Sequence, residues 1–568
     1  MTTKSLIPES QMTLQRVFDE AENMRTDTKT ANTKLYLSME GPKRAGEEGL
    51  VEYAERLSEL YMRTYTSAVR KSKGQFFTPG QVSRFMANLF DISHSEIRLL
   101  DPGAGTGILT AAFCERLLDR GKTVNLTIDA YENDPNLVPL LRMVLELCKV
   151  ELERRGHNVE YNIDGRDFIL HNEIYFREPD LLLRNEERVL YDFVISNPPY
   201  YKINKNSPQS IAMMELVSGQ PNIYALFMAL SASMVKPDGE MVFITPRSFC
   251  SGLYYEKFRE WFLDAVQILN VHIFESRKEV FDKDEILQEN IIIKGKKLKG
   301  ADDHEKLEIS ISENKDFDKL RKIEVGSDDV VCRKNKQVFV RIPTTAISVD
   351  ILHTVDKWSY TLSDLGLDIS TGPVVPFRAE QYLVQNSAKE PQAVPLLWMH
   401  NMQGMKVVWP AKKNNKALAI LSCSRTKPLL LQTKNYVLVK RFSSKEQKRR
   451  LYAAVLLESE FPYNTLGIEN HVNYIHRPNG NLSVYEAFGI AVILNTAFID
   501  NFFRSLNGNT QVNATEIRSL PFPNIEAIRK IGKLVYESKS YQDGFYLDSI
   551  VAEVLGINFE IIKGLNKD

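Results

Sequence analysis

The apolar positions of this chain follow two rhythms. Short runs rich in apolar residues recur at Ile97-Arg98-Leu99-Leu100, Leu126 to Tyr131, Val159 to Ile163, Tyr191 to Ile195 and Met241 to Ile244. Runs of this length and β-branched content predict buried strands. Between them apolar residues return every three or four positions, through Val82, Phe85, Met86 and Leu89, through Leu109, Ala112, Phe113 and Leu117, and over Leu137 to Val150 and Asn222 to Val235. That spacing predicts helices. The alternation predicts a doubly wound, mostly parallel α/β sheet with right-handed crossovers. Phe258 to Leu269 is expected as a further helix, and Asn270 to Phe274 and Asn290 to Ile293 as further strands. Upstream, Leu50, Val51, Tyr53, Ala54, Leu57, Leu60 and Tyr61 make one helical face, expected to be scaffold.

From about 295 to 345 the chain is charged and irregular, and beyond it the pattern changes to short β-like runs at Val338 to Ile342, Ala393 to Met399 and Tyr436 to Lys440. Ser483 to Phe503 reads as one long apolar helix, and the end as mostly helical. The expected division is a helical extension over 1–70, the doubly wound domain over 71–300, an irregular linker over 301–345 and a C-terminal α+β domain over 346–568.

The chemistry gathers where predicted strands end. Asp101-Pro102-Gly103-Ala104-Gly105-Thr106-Gly107 sits between a strand and a helix. Its glycines allow a sharp turn and a close backbone approach to a ligand, a pattern shared with dinucleotide binders. The Asp101 carboxylate suits a cationic or hydroxyl-rich ligand better than a pyrophosphate. Glu132 ends the next strand, at the distance expected of a ribose-binding carboxylate. Asp167-Phe168 follows the third strand. Thr78-Pro79 reads as a helix start, with Thr as cap and Pro in the first turn. The fourth strand runs into Asn197-Pro198-Pro199-Tyr200, where the prolines hold the loop in one shape. Asn197 and the Pro198 carbonyl each offer an acceptor, and Tyr200 a flat face. Two acceptors beside a ring suit a planar group bearing an exocyclic NH2. An ordinary strand-to-turn corner is the plainer alternative, and the position after a buried strand disfavours it.

Composition narrows the class. The 568 residues are 43% hydrophobic and 26% charged, as in a soluble globular protein, with no apolar run of membrane-spanning length. The five cysteines are scattered, which points to a reducing cytoplasm and away from a metal site. A net charge of −1 requires any nucleic-acid surface to come from local clustering. Lys440, Arg441, Lys448 and Arg449, interleaved with Phe442 and Tyr452, are the candidates.

Together these stretches resemble the gamma class of adenine-N6 DNA methyltransferases of restriction–modification systems, with the motif order Gly74 to Pro79, Asp101 to Gly107, Asn197 to Tyr200 and then a target-recognition domain. The resemblance implies the class I methyltransferase fold and S-adenosylmethionine (AdoMet) as cofactor. Thr78 and the loop of Asp101, Pro102, Gly103, Ala104, Gly105 and Gly107 would hold its methionine part. Glu132 would take the ribose, Asp167 and Phe168 the adenine end, and Phe227 would pack on the cofactor adenine. Asn197, Pro198, Pro199 and Tyr200 would form the catalytic loop, and Phe281 would sandwich the flipped target base with Tyr200. The implied partner is double-stranded DNA, with a cognate endonuclease acting separately, a monomeric enzyme and a prokaryotic cytoplasm. A protein glutamine-N5 or RNA methyltransferase, or the methylase part of a bifunctional restriction–modification enzyme, are the alternatives.

Overall fold

The structure, a computed structural model, describes residues 44, 46–177, 189–275, 289–298, 306–334, 337–385, 390, 392–411, 416–443, 447–508, 511–539, 541 and 544–565. They divide into two compact units at Val340/Arg341.

The first unit is built on a sheet of nine strands among the described residues. These are β1 (Glu96–Pro102), β2 (Asn125–Tyr131), β3 (Asn158–Asp164), β4 (Tyr191–Ser196), β5 (Val235–Pro246), β6 (Val266–Phe274), β7 (Asn290–Lys297), β8 (Lys306–Ser312) and β9 (Arg321–Gly326). Their order is β3-β2-β1-β4-β5-β7-β6-β8-β9. β1 to β5 run parallel, and β7 lies antiparallel between β5 and β6. The central strand β4 is covered on both faces, which is why its sequence is apolar without alternation. The chain order reverses between β1 and β4, and in such sheets the crevice at the carboxyl ends of these strands is where ligands bind.

Two expectations change here. The stretch read as an irregular linker contributes β8 and β9 to this sheet, and Val331–Lys334 pairs with Gln337–Val340 before the first unit ends. Lys306 and Glu308 on β8 and Arg321, Lys322 and Glu324 on the edge strand β9 are at least partly exposed, and their charge hid the strand period. The helix Leu50–Thr64 is no separate extension either. Leu50, Val51, Ala54 and Leu57 are buried in the same core as Leu99, Ala104 and Ile108. Gly49 gives that helix no side-chain cap, a deficit of only a few tenths of a kcal/mol. Each buried Val or Leu returns roughly 1.5–3 kcal/mol, so the apolar face decides the helix's place.

The second unit holds a six-stranded sheet and a five-stranded sheet among the described residues, with Tyr436–Lys440 central in the first and Ala393–Leu397 in the second. Helices Ala346–Val355, Val484–Leu494, Ala497–Leu506, Ile525–Ser538 and Gly544–Leu555 share one core. The single helix expected over Ser483 to Phe503 is two. Asn495 ends the first by donating to Ala491 O and Ala453 O, and the Thr496 hydroxyl caps the second at Ile499 N. No single helix among the described residues is long and apolar enough to cross a membrane; this bent pair passes the length and composition test only as a pair, and is largely buried in the core.

Candidate active site

One cavity of about 470 Å³ opens at the carboxyl ends of β1, β2 and β4. Of the residues expected to form the site, Thr78, Gly103, Ala104, Gly105, Glu132, Asp167, Phe168, Asn197, Pro199 and Phe227 line it. They come from six separate segments of the chain.

The floor is the loop after β1. Gly103, Gly105 and Gly107 all have positive φ, at 77°, 58° and 85°. A Cβ on Gly107 would lie 2.8 Å from Leu141, so only glycine lets the helix Ile108–Leu118 start there. Gly103 N and Ala104 N donate to Tyr131 O at 2.9 and 2.8 Å, which joins this turn to the end of β2. Asp101 and Pro102 stand behind it. Asp101 is fully buried, one carboxylate oxygen accepting from the Thr110 hydroxyl at 2.7 Å. Burial pushes its pKa up to about 7 against that hydrogen bond. Pro102 O accepts from Ser196 Oγ at 2.7 Å, linking β1 to β4 just ahead of Asn197.

On one wall, Glu132 accepts from Gly105 N at 2.9 Å and from Asp134 N at 2.8 Å. Burial raises its pKa to about 7, and the two backbone N–H groups pull it down. Asp167 caps the short helix that begins at Phe168, accepting from Ile169 N and Leu170 N, while its other oxygen accepts from Gln209 Nε2 at 2.9 Å. The Phe168 and Phe227 rings meet at 5.1 Å between centroids.

The loop from Asn197 to Tyr200 supplies another wall. Asn197 Nδ2 donates to Phe76 O at 2.7 Å and to Thr78 Oγ1 at 3.0 Å. Phe76 O can only accept, so the side-chain nitrogen must face it and the amide has one orientation. Asn197 Oδ1 is buried and finds no hydrogen-bond partner among the described residues. Thr78 is therefore not the helix cap the sequence reading expected. Pro79 occupies the cap position of Gly80–Asn88, and the Thr78 hydroxyl is turned to the carboxamide instead. Pro198 is buried. Tyr200 is also buried, its hydroxyl donating to Ile244 O at 2.7 Å and its ring stacked on Phe76 at 5.6 Å. Phe281 lies outside the described residues.

Residues 73–78 also line the cavity, and Gly74 fits them against the Asn197–Tyr200 loop. Gly74 O accepts from Tyr200 N at 3.2 Å, and a Cβ on Gly74 would stand 2.7 Å from that nitrogen. Sequence reasoning passed over Asp134, another lining residue. The only local signal for it was an Asn-Asp-Pro turn directly after Glu132.

The four basic candidates of the second unit do not share one situation. Lys448 is exposed. The Lys440 ammonium sits 3.7 Å above the Tyr452 ring, and Arg441 donates to Asn470 O at 3.0 Å. Arg449 donates to the Asn495 carbonyl, and Arg450 beside it is buried, donating to Ser443 Oγ. The basic run is thus partly internal.

Residues 123–281 match the Eco57I restriction-modification methylase family. The chain is 33% identical over 482 residues to the Type II methyltransferase M.PstI of Providencia stuartii, covering 85% of this chain and 93% of that protein. To the Type II methyltransferase M.BsuBI of Bacillus subtilis it is 35% identical over 486 residues, covering 85% and 94%. Among solved structures, the type IIG restriction endonuclease BpuSI shares 14% identity at a TM-score of 0.39, covering 91% of this chain and 68% of that one. With near-complete overlap at this identity, the chain belongs to the Type II methyltransferases of restriction–modification systems.

Proposed function

We propose that this DNA methyltransferase transfers the methyl group of AdoMet to N6 of an adenine turned out of a specific double-stranded sequence. The observation that carries the reading is the Asn197 carboxamide. Both its N–H groups are spent on Phe76 O and Thr78 Oγ1, so its buried oxygen is held as an acceptor.

The cavity residues fit AdoMet. The glycine turn leaves room for a close approach, Glu132 offers a carboxylate for vicinal hydroxyls, and Phe168 and Phe227 offer apolar ring faces. Bound there, AdoMet supplies an electrophilic methyl group on a sulfonium. A volume of about 470 Å³ is within the range for small-molecule sites.

The chain's own part is orientation. The adenine amine is a weak nucleophile because its lone pair is delocalised into the ring. Asn197 Oδ1 and Pro198 O accept its two hydrogens and favour a pyramidal nitrogen. The loop is held so by Phe76, Thr78 and Gly74, and fixed geometry of this kind supplies much of a transfer rate. The duplex hides N6, so the base must leave the stack at a cost of a few kcal/mol. The second unit, with Lys440, Arg441 and Lys448, is the candidate for choosing the sequence, and a cognate endonuclease would act separately on unmethylated sites.

DNA from cells expressing the chain, digested to nucleosides and sequenced with methylation-sensitive reads, tests this. N6-methyladenine at one recurrent sequence is expected. Methylated cytosine instead, or no modified base, would overturn it.

A further inference from the structure

The loop that orients Asn197 is itself tied down by a carboxylate to which methyl transfer assigns no role. Asp134 is 4% exposed. Its Oδ2 accepts from three donors on two segments: Lys73 Nζ at 2.7 Å and Gln75 Nε2 at 3.0 Å from one loop, and Tyr61 Oη at 2.9 Å from the helix Leu50–Thr64. Its Oδ1 accepts from Asn136 N and Nδ2, both at 3.0 Å. Burial opposes ionisation, yet Lys73 and the other donors outweigh it and hold the pKa down to about 2. The carboxylate is therefore charged at every working pH. Its backbone N–H separately donates to Glu132, a bond that a side-chain substitution leaves in place.

The direction of this tether matters. Lys73 and Gln75 flank Gly74, whose carbonyl accepts from Tyr200 N. The next residues deliver Phe76 O and Thr78 Oγ1 to the Asn197 amide. We propose that Asp134 is a positioning residue for the transfer: by fastening Lys73 and Gln75 it sets Phe76 O and Thr78 Oγ1 against Asn197, and so fixes which way the catalytic carboxamide faces. The proposal rests on the methyl-transfer reading above. A purely structural clamp would hold Tyr61 and the helix Leu50–Thr64 equally well, and would act on the folded fraction rather than on the rate within it.

The test is single-turnover methylation by full-length Asp134→Asn with DNA and AdoMet saturating. Displacing a reacting group by about an ångström costs on the order of 100-fold, and a rate loss approaching that is expected. AdoMet affinity by calorimetry should change far less, because Glu132 keeps both backbone bonds. Lys73→Met should lose rate in the same way, and the double variant should lose no more than the worse single one, since both act through one loop. A wild-type rate in Asp134→Asn overturns the proposal. So does a loss matched by the unfolded fraction in circular dichroism, or independent losses that multiply in the double variant. Should Asp134→Asn not fold, Gln75→Ala carries the test, and an unchanged rate there overturns it equally. Failure of the wild-type enzyme to methylate any adenine would instead sink the function reading itself.

Discussion

The side-chain nitrogen of Asn197 lies 3.0 Å from the hydroxyl oxygen of Thr78, which accepts from it across 119 residues of sequence. Thr78 can accept there because Pro79, not Thr78, takes the helix cap. Thr78→Val keeps the shape and removes the acceptor. A lost neutral hydrogen bond is about 1 kcal/mol, so the single-turnover rate should fall roughly fivefold with Phe76 O still fixing the amide. Asn197→Ala should nearly abolish transfer while AdoMet still binds. Calorimetry beside methyl-transfer assays checks both, and wild-type transfer by Asn197→Ala, or a transfer loss fully accounted for by lost AdoMet binding, would refute the assignment.

Gly74 should tolerate no side chain. Its φ is 65°, and a Cβ would press on the Tyr200 nitrogen and the Tyr201 ring, both at 2.7 Å. Gly74→Ala is expected to destabilise by about 2–5 kcal/mol, combining left-handed strain with overpacking, and to lower the transfer rate further by moving the Asn197–Tyr200 loop. Gly121→Ala, where nothing lies within 4 Å, is the control. Thermal melts and rates for the two variants decide it.

AdoMet binding should depend on pH through Glu132. Its carboxyl has a pKa of about 7 in the free enzyme, and a carboxylate is the better acceptor for ribose hydroxyls. Affinity is expected to rise as pH rises towards 7 and to level off above it, with proton release seen in calorimetry across buffers of different ionisation enthalpy. The stability of the free enzyme runs the other way. A carboxyl raised by folding holds its proton in the folded state, so stability falls as pH rises from the unfolded value, about 4.5, through about 7. Glu132→Gln should remove most of the slope in AdoMet affinity and only part of the slope in stability. What survives belongs to Asp101, which is raised to a similar value. A full slope in Glu132→Gln would refute the assignment.

The boundary between the two units makes truncation specific. A fragment ending at Val340 keeps β8 and β9 and should fold and bind AdoMet. One ending near residue 300 strips them, exposes the edge of β6, and should aggregate. Size-exclusion chromatography and AdoMet titration of the two fragments separate these outcomes. Equal behaviour would place β8 and β9 outside the folding unit.

The basic residues of the second unit should separate by their contacts. Lys448→Glu at an exposed position should weaken DNA binding and flatten its salt dependence, as expected for a phosphate contact. Arg449→Glu should instead cost stability, because its guanidinium bonds the Asn495 carbonyl. A salt slope changed by Arg449 alone would reverse this assignment.

Sequence by itself determined what periodicity and local turn chemistry encode. The parallel strands β1 to β5, the glycine turn after β1, Glu132 at the end of β2 and the Asn197 loop after β4 were all legible, because each depends on residues within one element and its flanking turn. Only tertiary structure decided which residues meet. The Thr78 hydroxyl was free to cap a helix or to hold a carboxamide, and the choice depends on a partner far away in sequence. Asp134 looked like an ordinary turn residue until Tyr61, Lys73 and Gln75 converged on it. Arg449 and Arg450 carried a charge in the sequence, but whether a charge faces solvent or a buried carbonyl is set by the helices packed over it. Local pattern reports the face an element must bury; the pairing of polar atoms between distant segments exists only once those faces have closed on one another.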